Sequence, residues 1–195
     1  MSVRRVVALV VIACGLAGAV PCSGALRFAD VNGHLAIGFT RLSSSDTTST
    51  PGGSISIGGG LDVPLGDRLR AGLDLGYHLL GSRTLVQGTL TSGLDYSVFE
   101  MLALLHWTPL DRGPQLIVSG GPGLFIARAS LAPTSVGATF SPQSIEQTRP
   151  GVALSLIATR RRASPVRVGI EVGLRIVPLE STTWTLASAR IAMLY

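Results

Sequence analysis

The chain has 195 residues, of which 46% are apolar and only 14% are charged, and its mean hydropathy is +0.46. This composition excludes an intrinsically disordered protein, which would be rich in charge and poor in apolar residues. It is also sparsely charged for a soluble domain, in which about a quarter of the residues carry charge. Beyond residue 25, no stretch reaches the roughly 18 consecutive apolar residues of a membrane helix. The apolar residues must therefore be distributed in some other way.

Residues 1–25 have the features of a secretory signal peptide. Arg4 and Arg5 supply positive charge at its start, residues 6–20 are apolar, and small residues at 23–25 provide a cleavage site. An uncleaved membrane anchor and a lipoprotein leader are the alternatives, but the first needs a longer apolar run and the second a later cysteine. We therefore predict that the leader is cleaved after export through the Sec pathway.

The mature domain is predicted to span residues 26–195, which is enough chain for one domain. Both cysteines, Cys14 and Cys22, lie in the leader, so the mature domain has no disulfide and no thiolate to bind a metal or attack a substrate. All 16 basic residues are arginine, and they are scattered apart from residues 160–162. Scattered arginines do not form the basic patch that nucleic acid requires, so no nucleic-acid partner is expected.

The mature sequence alternates between apolar residues and small or polar ones, which is typical of β-strands. The clearest run is 166–176, where valine, isoleucine and leucine occupy one face while arginine, glycine and glutamate occupy the other. Runs 54–65 and 69–79 repeat this pattern, and weaker runs complete the set. In chain order we predict strands at residues 34–42, 54–65, 69–79, 94–108, 115–128, 151–160, 166–176 and 183–195.

The connections between these eight strands alternate in length. Proline and glycine predict tight turns, which fall at residues 64–67, 109–113 and 163–165. The other connections are mostly longer and polar, and they fall at residues 43–53, 80–93 and 129–150, with a shorter one at 179–181. Short turns at one end and longer loops at the other are typical of membrane barrels. We therefore predict an all-β fold, an eight-stranded antiparallel up-and-down transmembrane β-barrel.

The polar face of the strands distinguishes a membrane barrel from a soluble one such as a lipocalin. In water this face would be dense in charge, whereas here it is mainly glycine, serine and alanine. Small residues and balanced charges suit a narrow interior in which opposite charges pair. The charged residues predicted to form this interior network are Asp62, Arg70, Asp74, Glu100, Arg167, Glu171, Arg175 and Arg190.

The aromatic residues mostly agree with a barrel that crosses a membrane. Phe39 and Tyr77 fall near the outer ends of their predicted strands, and Trp107 and Tyr195 near the inner ends, as two interfacial girdles require. Trp184 differs, because its parity places it on the interior face. We therefore expect Trp184 either to cap the interior or to lie beyond a bulge that shifts the register.

Two segments resemble those of a known family. Residues 185–195 are similar to the C-terminal strand of bacterial outer-membrane proteins, with Ile191 and Met193 at alternate positions before the terminal Tyr195. Residues 119–125, Ser-Gly-Gly-Pro-Gly-Leu-Phe, are similar to the glycine-rich strand of the outer-membrane β-barrel domain family, which includes the small OmpA-, OmpX- and OmpW-type barrels. The resemblance implies the outer membrane of a Gram-negative bacterium, contact with its lipid, and recognition of the last strand by the barrel-assembly machinery.

Some eight-stranded outer-membrane barrels modify lipid A, so the three histidines of the mature chain need testing for such chemistry. The sequence at 106–108 imitates the histidine–serine spacing of lipid A deacylases, but the following turn places His106 at the periplasmic end, far from outer-leaflet lipid. His78 has interior parity, and with Asp95 or Asp74 and a loop serine it could form a base and nucleophile set. No histidine lies near another in sequence, so we expect no metal site and no cofactor.

The sequence leaves three functions open. An interior of eight strands is just wide enough for side chains, which favours a plugged barrel with a structural or interaction role and external loops for recognition. Interior glycines such as Gly58, Gly72 and Gly169 keep open the alternative of a narrow channel or a transporter of apolar solutes. A lipid A-modifying barrel enzyme is the third hypothesis, and the plugged, non-enzymatic barrel is the leading prediction.

Overall fold

The computed structural model describes residues 31–45, 54–87, 90–110, 114–133, 143–160 and 166–195. The predicted leader lies outside the described residues, as do the predicted turn residues 111–113 and 163–165 and most of the predicted connection 43–53. Among the described residues, no helix is long and apolar enough to cross a membrane.

Eight antiparallel strands close into a barrel in which each strand pairs with its neighbours in sequence and the first pairs with the last. The strands are β1 Asn32–Ser44, β2 Ser54–Pro64, β3 Leu69–Gln87, β4 Leu90–Leu110, β5 Pro114–Pro133, β6 Gln143–Arg160, β7 Arg167–Pro178 and β8 Thr183–Leu194. Closure pairs both sides of every strand along the barrel wall, so the wall has no free sheet edge. The predicted eight-stranded, up-and-down, all-β barrel is confirmed.

Alternation along the strands places apolar side chains on the outer face of the wall. In β7, Ile170 is 65% exposed on this face, whereas the adjacent Glu171 is buried in the interior. The aromatic residues predicted to form girdles all lie on the outer face, and all are exposed; they are Phe39, Tyr77, Trp107 and Tyr195.

The two ends of the barrel differ in how the strands are joined. At one end, here called the turn end, the amides of Leu65 and Gly66 donate to the carbonyl of Leu69 and close the β2–β3 turn. The first described strand begins at this end, where the amide of Tyr195 donates to the carbonyl of Gly33 at 2.8 Å. The opposite end, here called the loop end, carries the β1–β2, β3–β4, β5–β6 and β7–β8 connections.

Four consecutive strands extend beyond the others at the loop end. Strands β3 to β6 have 18 to 21 residues, whereas the remaining four have 11 to 13. Pairing continues up to Gln87↔Leu90 in one hairpin and Leu131↔Gln143 in the other. We call this extension the projecting sheet; it comprises residues 80–87, 90–97, 128–133 and 143–149.

The projecting sheet corrects the predicted loops at 80–93 and 129–150. Much of each segment is strand in the structure. The inner face of this sheet carries apolar residues such as Leu94, Tyr96 and Ile145, but each strand contributes only a few of them, so the alternation is too short to indicate a strand. The rule that long polar segments are loops was therefore wrong at these two connections.

A β-bulge marks the height at which β3 leaves the barrel wall. Leu80 and Gly81 together oppose the single residue Tyr96, and regular pairing resumes at Ser82. Gly81 has a φ of 80°, a conformation that a residue with a Cβ rarely adopts. Glycine at this position therefore allows the extra residue to be accommodated.

Apolar side chains fill much of the interior, mainly towards the loop end, and we call this cluster the apolar plug. Phe125, Leu80 and Leu186 in this cluster are completely buried. The plug comprises Leu42, Leu80, Val98, Leu102, Leu104, Phe125, Ala127, Ala153, Val177, Trp184 and Leu186. The sequence prediction of an interior made mainly of small and charged residues is therefore wrong for this part of the interior.

Trp184 caps the plug and needs no bulge. The pairing of β8 with β1 and with β7 is continuous through Trp184, so its register is regular. Its ring packs edge-on against Tyr96, with ring centroids 5.9 Å apart, an arrangement that aromatic pairs favour. Of the two expectations for Trp184, the structure selects the cap.

Candidate functional site

The centre of the interior holds an ion pair between Glu100 on β4 and Arg175 on β7. Nε and Nη2 of Arg175 each lie 3.3 Å from a different oxygen of the Glu100 carboxylate, so the pair is bidentate. The third nitrogen of Arg175, Nη1, donates to Oγ of Ser188 at 2.9 Å. Each charged residue is 2% exposed, so the pair is screened from water and its attraction is strong.

Glu171 extends this network to the last strand. Its carboxylate accepts a hydrogen bond from Arg190, which lies directly opposite across the β7–β8 ladder. The same oxygen of Glu171 lies 3.7 Å from Nη2 of Arg175. Two carboxylates and two guanidiniums from three strands therefore alternate in charge, which is the arrangement that makes buried charge tolerable.

Two histidines border the network. His78 is completely buried, with Nδ1 3.0 Å from the Thr40 hydroxyl and Nε2 3.2 Å from a carboxylate oxygen of Glu100. His34 lies with Nε2 3.2 Å from Oδ2 of Asp74. Each imidazole is thus placed against a carboxylate that also belongs to the interior.

The turn end of the interior is more polar than the loop end. Nε of Arg70 donates to the carboxylate of Asp62, and Arg167 donates to the side-chain oxygen of Gln115. A cavity of about 50 Å³ lies here, and its lining includes His34, Asp62, Gln115 and Arg167. Its size is enough for one or two water molecules and for no larger ligand.

Interior glycines make room for the charged side chains. A Cβ added at Gly76 would lie 2.5 Å from Oε1 of Glu100, and one at Gly58 would lie 2.8 Å from Nη1 of Arg190. The same relation holds at Gly60, where an added Cβ would overlap the carboxylate of Asp74. Each of these charged groups lies flat against the backbone of a neighbouring strand, and only glycine permits that approach.

The eight charged residues predicted for the interior all have side chains that face it. Asp62 pairs with Arg70, and Glu100 and Glu171 share Arg175 and Arg190. Two predicted members bind other groups, since Asp74 contacts His34 and Arg167 contacts Gln115. The functional role of this network stays a prediction.

The structure does not bring the candidate base and acid together. His78 lies inside the barrel, whereas Asp95 lies on the outer face, where it pairs across the ladder with Ser82. Asp95 also does not begin its strand, since β4 starts at Leu90. Asp74, the other candidate acid, contacts His34. The proposed set fails on strand parity, because Asp95 has the parity of the outward Phe99 and not that of the inward Glu100.

His106 forms an interaction that the sequence did not indicate. Its Nδ1 lies 2.7 Å from the hydroxyl of Ser119 on β5, a distance typical of a nucleophile and its base. Both residues are buried, with exposures of 5% and 1%, and the adjacent cavity is too small for a lipid. We interpret the contact as a structural hydrogen bond that satisfies one ring nitrogen of a buried histidine.

The sequence did not predict that His34, Thr40 and Ser119 are interior partners; they contact Asp74, His78 and His106, respectively. The available signal was their interior parity in β1 and β5, next to alanine or glycine on the same face. Within the described ranges, no group of three histidine, cysteine, aspartate or glutamate side chains could hold a metal ion.

Solved structures share this architecture. The chain is similar to the attachment invasion locus protein Ail of Yersinia pestis, with 11% identity over 85% of this chain and 99% of that one and a TM-score of 0.53. It is similar to Neisserial surface protein A, with 14% identity over 84% and 96% and a TM-score of 0.55. It is also similar to a major outer membrane protein from Thermus thermophilus, with 11% identity over 85% and 98% and a TM-score of 0.58. At these identities the likeness establishes the fold, that of small outer-membrane barrels.

No protein family and no curated protein sequence matches the chain.

Replacing Glu100 with glutamine should destabilise the barrel. Arg175 would lose its bidentate partner while remaining buried, which costs about 3–5 kcal/mol of the free energy of unfolding. The control is Glu180→Gln, because Glu180 is 72% exposed in its pair with Arg149 and the loss should stay below about 1 kcal/mol. Urea unfolding in detergent micelles measures both, and equal losses would contradict the central role of Glu100.

Replacing Gly76 with alanine should also destabilise the barrel, by about 1–3 kcal/mol, because the new Cβ displaces the Glu100 carboxylate. Gly66→Ala is the matched control, since no atom lies within 4 Å of its added Cβ. That substitution should be neutral or slightly stabilising through the unfolded chain. The same unfolding measurement compares them, and a Gly76→Ala variant as stable as Gly66→Ala would show that the carboxylate is free to move.

Proposed function

We propose that this protein is a small β-barrel of the Gram-negative outer membrane, with a closed interior and a structural or interaction role. The observation that carries the proposal is the outer face of the wall. Every outward position from Leu69 to Leu79 in β3, and from Val168 to Ile176 in β7, is uncharged and nearly all are large and apolar. The other six strands have a similar run. Lipid is the surroundings in which such a face is stable.

The height of this apolar band supports the same placement. The uncharged outward runs span about ten residues per strand, which extend roughly 33 Å along the strand and about 23 Å along the barrel axis at a 45° tilt. Membrane barrels present an apolar band about 25 Å tall. The exposed aromatics Phe39 and Trp107 lie near opposite ends of the band, where interfacial aromatic residues are enriched.

The filled interior supports a role other than conduction or catalysis. The apolar plug closes the loop-end half, and paired charges occupy the centre. A channel would need a continuous polar path, and an enzyme acting on lipid would need a catalytic group that the substrate can reach. His78 and the His106–Ser119 pair are both sealed within the wall.

The projecting sheet is the surface that we propose for recognition of other molecules. It extends beyond the apolar band at the loop end, and its faces carry exposed polar side chains such as Thr148 and Glu146. Among the described residues, β6 pairs with β7 only from Val152 to Thr159, so the part of β6 nearer the loop end has no partner on that side. This surface replaces the predicted loops as the proposed site of contact with other molecules.

We extend the proposal to assembly of the barrel. The last strand pairs with β1 over eleven residues, and the outward side chains Ile191, Met193 and Tyr195 are exposed beside that seam. Such a strand is the segment that barrel-assembly machinery would recognise before the seam closes. Deleting Tyr195 should reduce the amount of folded barrel in cells while refolding in detergent continues. An equal reduction in the amount of folded barrel in cells and in the yield of refolding in detergent would indicate a structural defect instead.

Substituting Leu73 with arginine tests the membrane placement. Leu73 is 72% exposed at the middle of the band, where an arginine facing lipid costs about 2–4 kcal/mol. Thr148→Arg on the projecting sheet is the control, and this variant should insert into vesicles as well as the wild type does. Insertion into lipid vesicles, followed by the gel shift between unheated and boiled samples, measures both variants. A Leu73→Arg variant that inserts normally, or a protein that fractionates as freely soluble, would contradict the proposal.

Planar-bilayer recordings test the closed interior. The wild-type protein should give no single-channel steps, because the plug leaves no continuous path. A Phe125→Ala, Leu186→Ala double variant that still shows the heat-dependent gel shift should also give none, because the paired charges still occupy the centre of the interior. Steps in the wild type that vanish when Arg175 is replaced would instead support the narrow channel.

A further inference from the structure

One side of the barrel wall carries a single charged side chain on its outer face. This side consists of β7, β8, β1 and β2, and every outward position in their described parts is uncharged except Arg41. Arg41 lies two residues beyond Phe39, which is 70% exposed near the loop-end limit of the apolar band. At a strand tilt of 45°, the Cα of Arg41 is therefore about 5 Å beyond that of Phe39 along the barrel axis, where headgroups meet the barrel.

Hydroxyl groups and small side chains surround Arg41 on this outer face. Arg41 lies opposite Ala187 across the seam between β1 and β8, and Ser43, the next outward residue of β1, lies opposite Thr185. On the other side of β8, Thr185 lies opposite the apolar Ile176 of β7. The described part of the seam therefore presents one guanidinium and two hydroxyls on a single outward surface, which we call the seam patch.

Arg41 is available to a ligand. Its side chain makes no hydrogen bond or ion pair with any residue that the structure describes. The carboxylate in the neighbouring β7–β8 connection, that of Glu180, pairs with Arg149. Asp46 lies outside the described residues, and its charge is therefore tested by substitution below. A guanidinium that borders the lipid without a protein partner is favourably placed to pair with an anionic group of that lipid.

The opposite side of the wall has the reverse charge at this height. There Arg128 of β5 lies between Ser97 of β4 and Glu146 of β6, and Asp95 lies in the adjacent row. The two carboxylates outnumber the one guanidinium at the described outward positions, so this surface is net negative, whereas Arg41 makes the seam side net positive. An anion is therefore attracted to the seam side and repelled by the opposite side.

We propose that the seam patch, formed by Arg41, Ser43 and Thr185, binds a phosphate group of lipid A. This inference rests on the membrane placement proposed above. In that membrane the loop end faces outwards, because barrels carry their longer connections there, and lipid A is the phosphorylated lipid of the outer leaflet. The planar guanidinium of Arg41 donates two hydrogen bonds to the phosphate, and the two hydroxyls donate further ones.

The surface below the seam patch distinguishes the lipid from free phosphate. Phe39 and Ile37 lie below Arg41 on β1, and Ala189 and Ile191 lie opposite them on β8. All four are exposed on the apolar outer face. Because its acyl chains lie along this surface, the lipid already holds its phosphate at the height of Arg41, whereas free phosphate must be bound from solution.

Native mass spectrometry of the full barrel released from detergent micelles tests the proposal. The probes share acyl chains: lipid A with two phosphates, the form with one phosphate, and the fully dephosphorylated form. Retention of one lipid should decrease in that order. Arg41→Gln should lower retention of the two phosphorylated forms by roughly five- to tenfold, the loss expected for one charge-assisted pair, and should leave the dephosphorylated form unchanged.

Arg128→Gln is the matched control, because it removes the same charge from the outer face on the side where Glu146 and Asp95 repel an anion. Its lipid retention should be no lower than that of the wild type. Asp46→Asn should also leave retention unchanged. A severalfold rise in that variant would show that the carboxylate of Asp46 already occupies Arg41, which would overturn the proposal.

Three further results would overturn the seam patch as a lipid A site. They are equal retention of lipid A by Arg41→Gln and the wild type, equal retention of the dephosphorylated form, and displacement of lipid A by inorganic phosphate. The gel shift in vesicles is recorded for every variant, so a barrel that inserts normally but lacks phosphate-dependent retention refutes the seam patch alone. A barrel that does not insert refutes the membrane placement.

Discussion

Closure of the sheet between β1 and β8 is the constraint on which the rest of this structure depends. The seam runs over eleven residue pairs, from His34↔Leu194 to Ser44↔Trp184, and it leaves each wall residue pointing either inward or outward. A closed ring of eight strands is only wide enough for side chains, so the interior residues must fill a fixed volume between them. The outer face has no such limit, and it carries a continuous apolar surface that only lipid or another apolar phase covers favourably.

The interior divides along its axis because apolar and charged groups meet this limit differently. At the loop end the space is filled by contact among Phe125, Leu80, Leu186 and their neighbours, and burial alone stabilises that half. At the centre the charges are far from water, so each must have an opposite charge beside it. Glycines such as Gly76 allow those side chains to lie against the wall, which couples backbone composition to electrostatics. The plug and the paired network together support the wall from inside.

The fold class and much of the interior could be predicted because alternate residues of a β-strand point to opposite faces, so each face has its own composition in the sequence. In β7 the alternation of Ile170, Glu171 and Val172 identifies the strand and the side each residue takes. That information fails in β4, where Val98, Leu102 and Leu104 are buried while Phe99 and Met101 are outward. A strand that is apolar on both faces has no period of two, so the sequence pattern could not predict the apolar plug. The projecting sheet was missed because the apolar residues of its inner face, such as Leu94 and Tyr96 in β4, form only short runs along each strand.

By itself the sequence determined the class of fold, the number of strands, the outward apolar band and the set of charged residues that face inward. These depend on the identity of a residue and its parity within one strand, which are local properties. Only the tertiary structure decided which charges meet, that Asp74 lies against His34, that Asp95 is on the opposite face from His78, and that Arg128 lies opposite Glu146. Those relations depend on the register between strands and on one bulge at Gly81. Register is set by how whole strands pair around the closed ring, and no single segment contains that information.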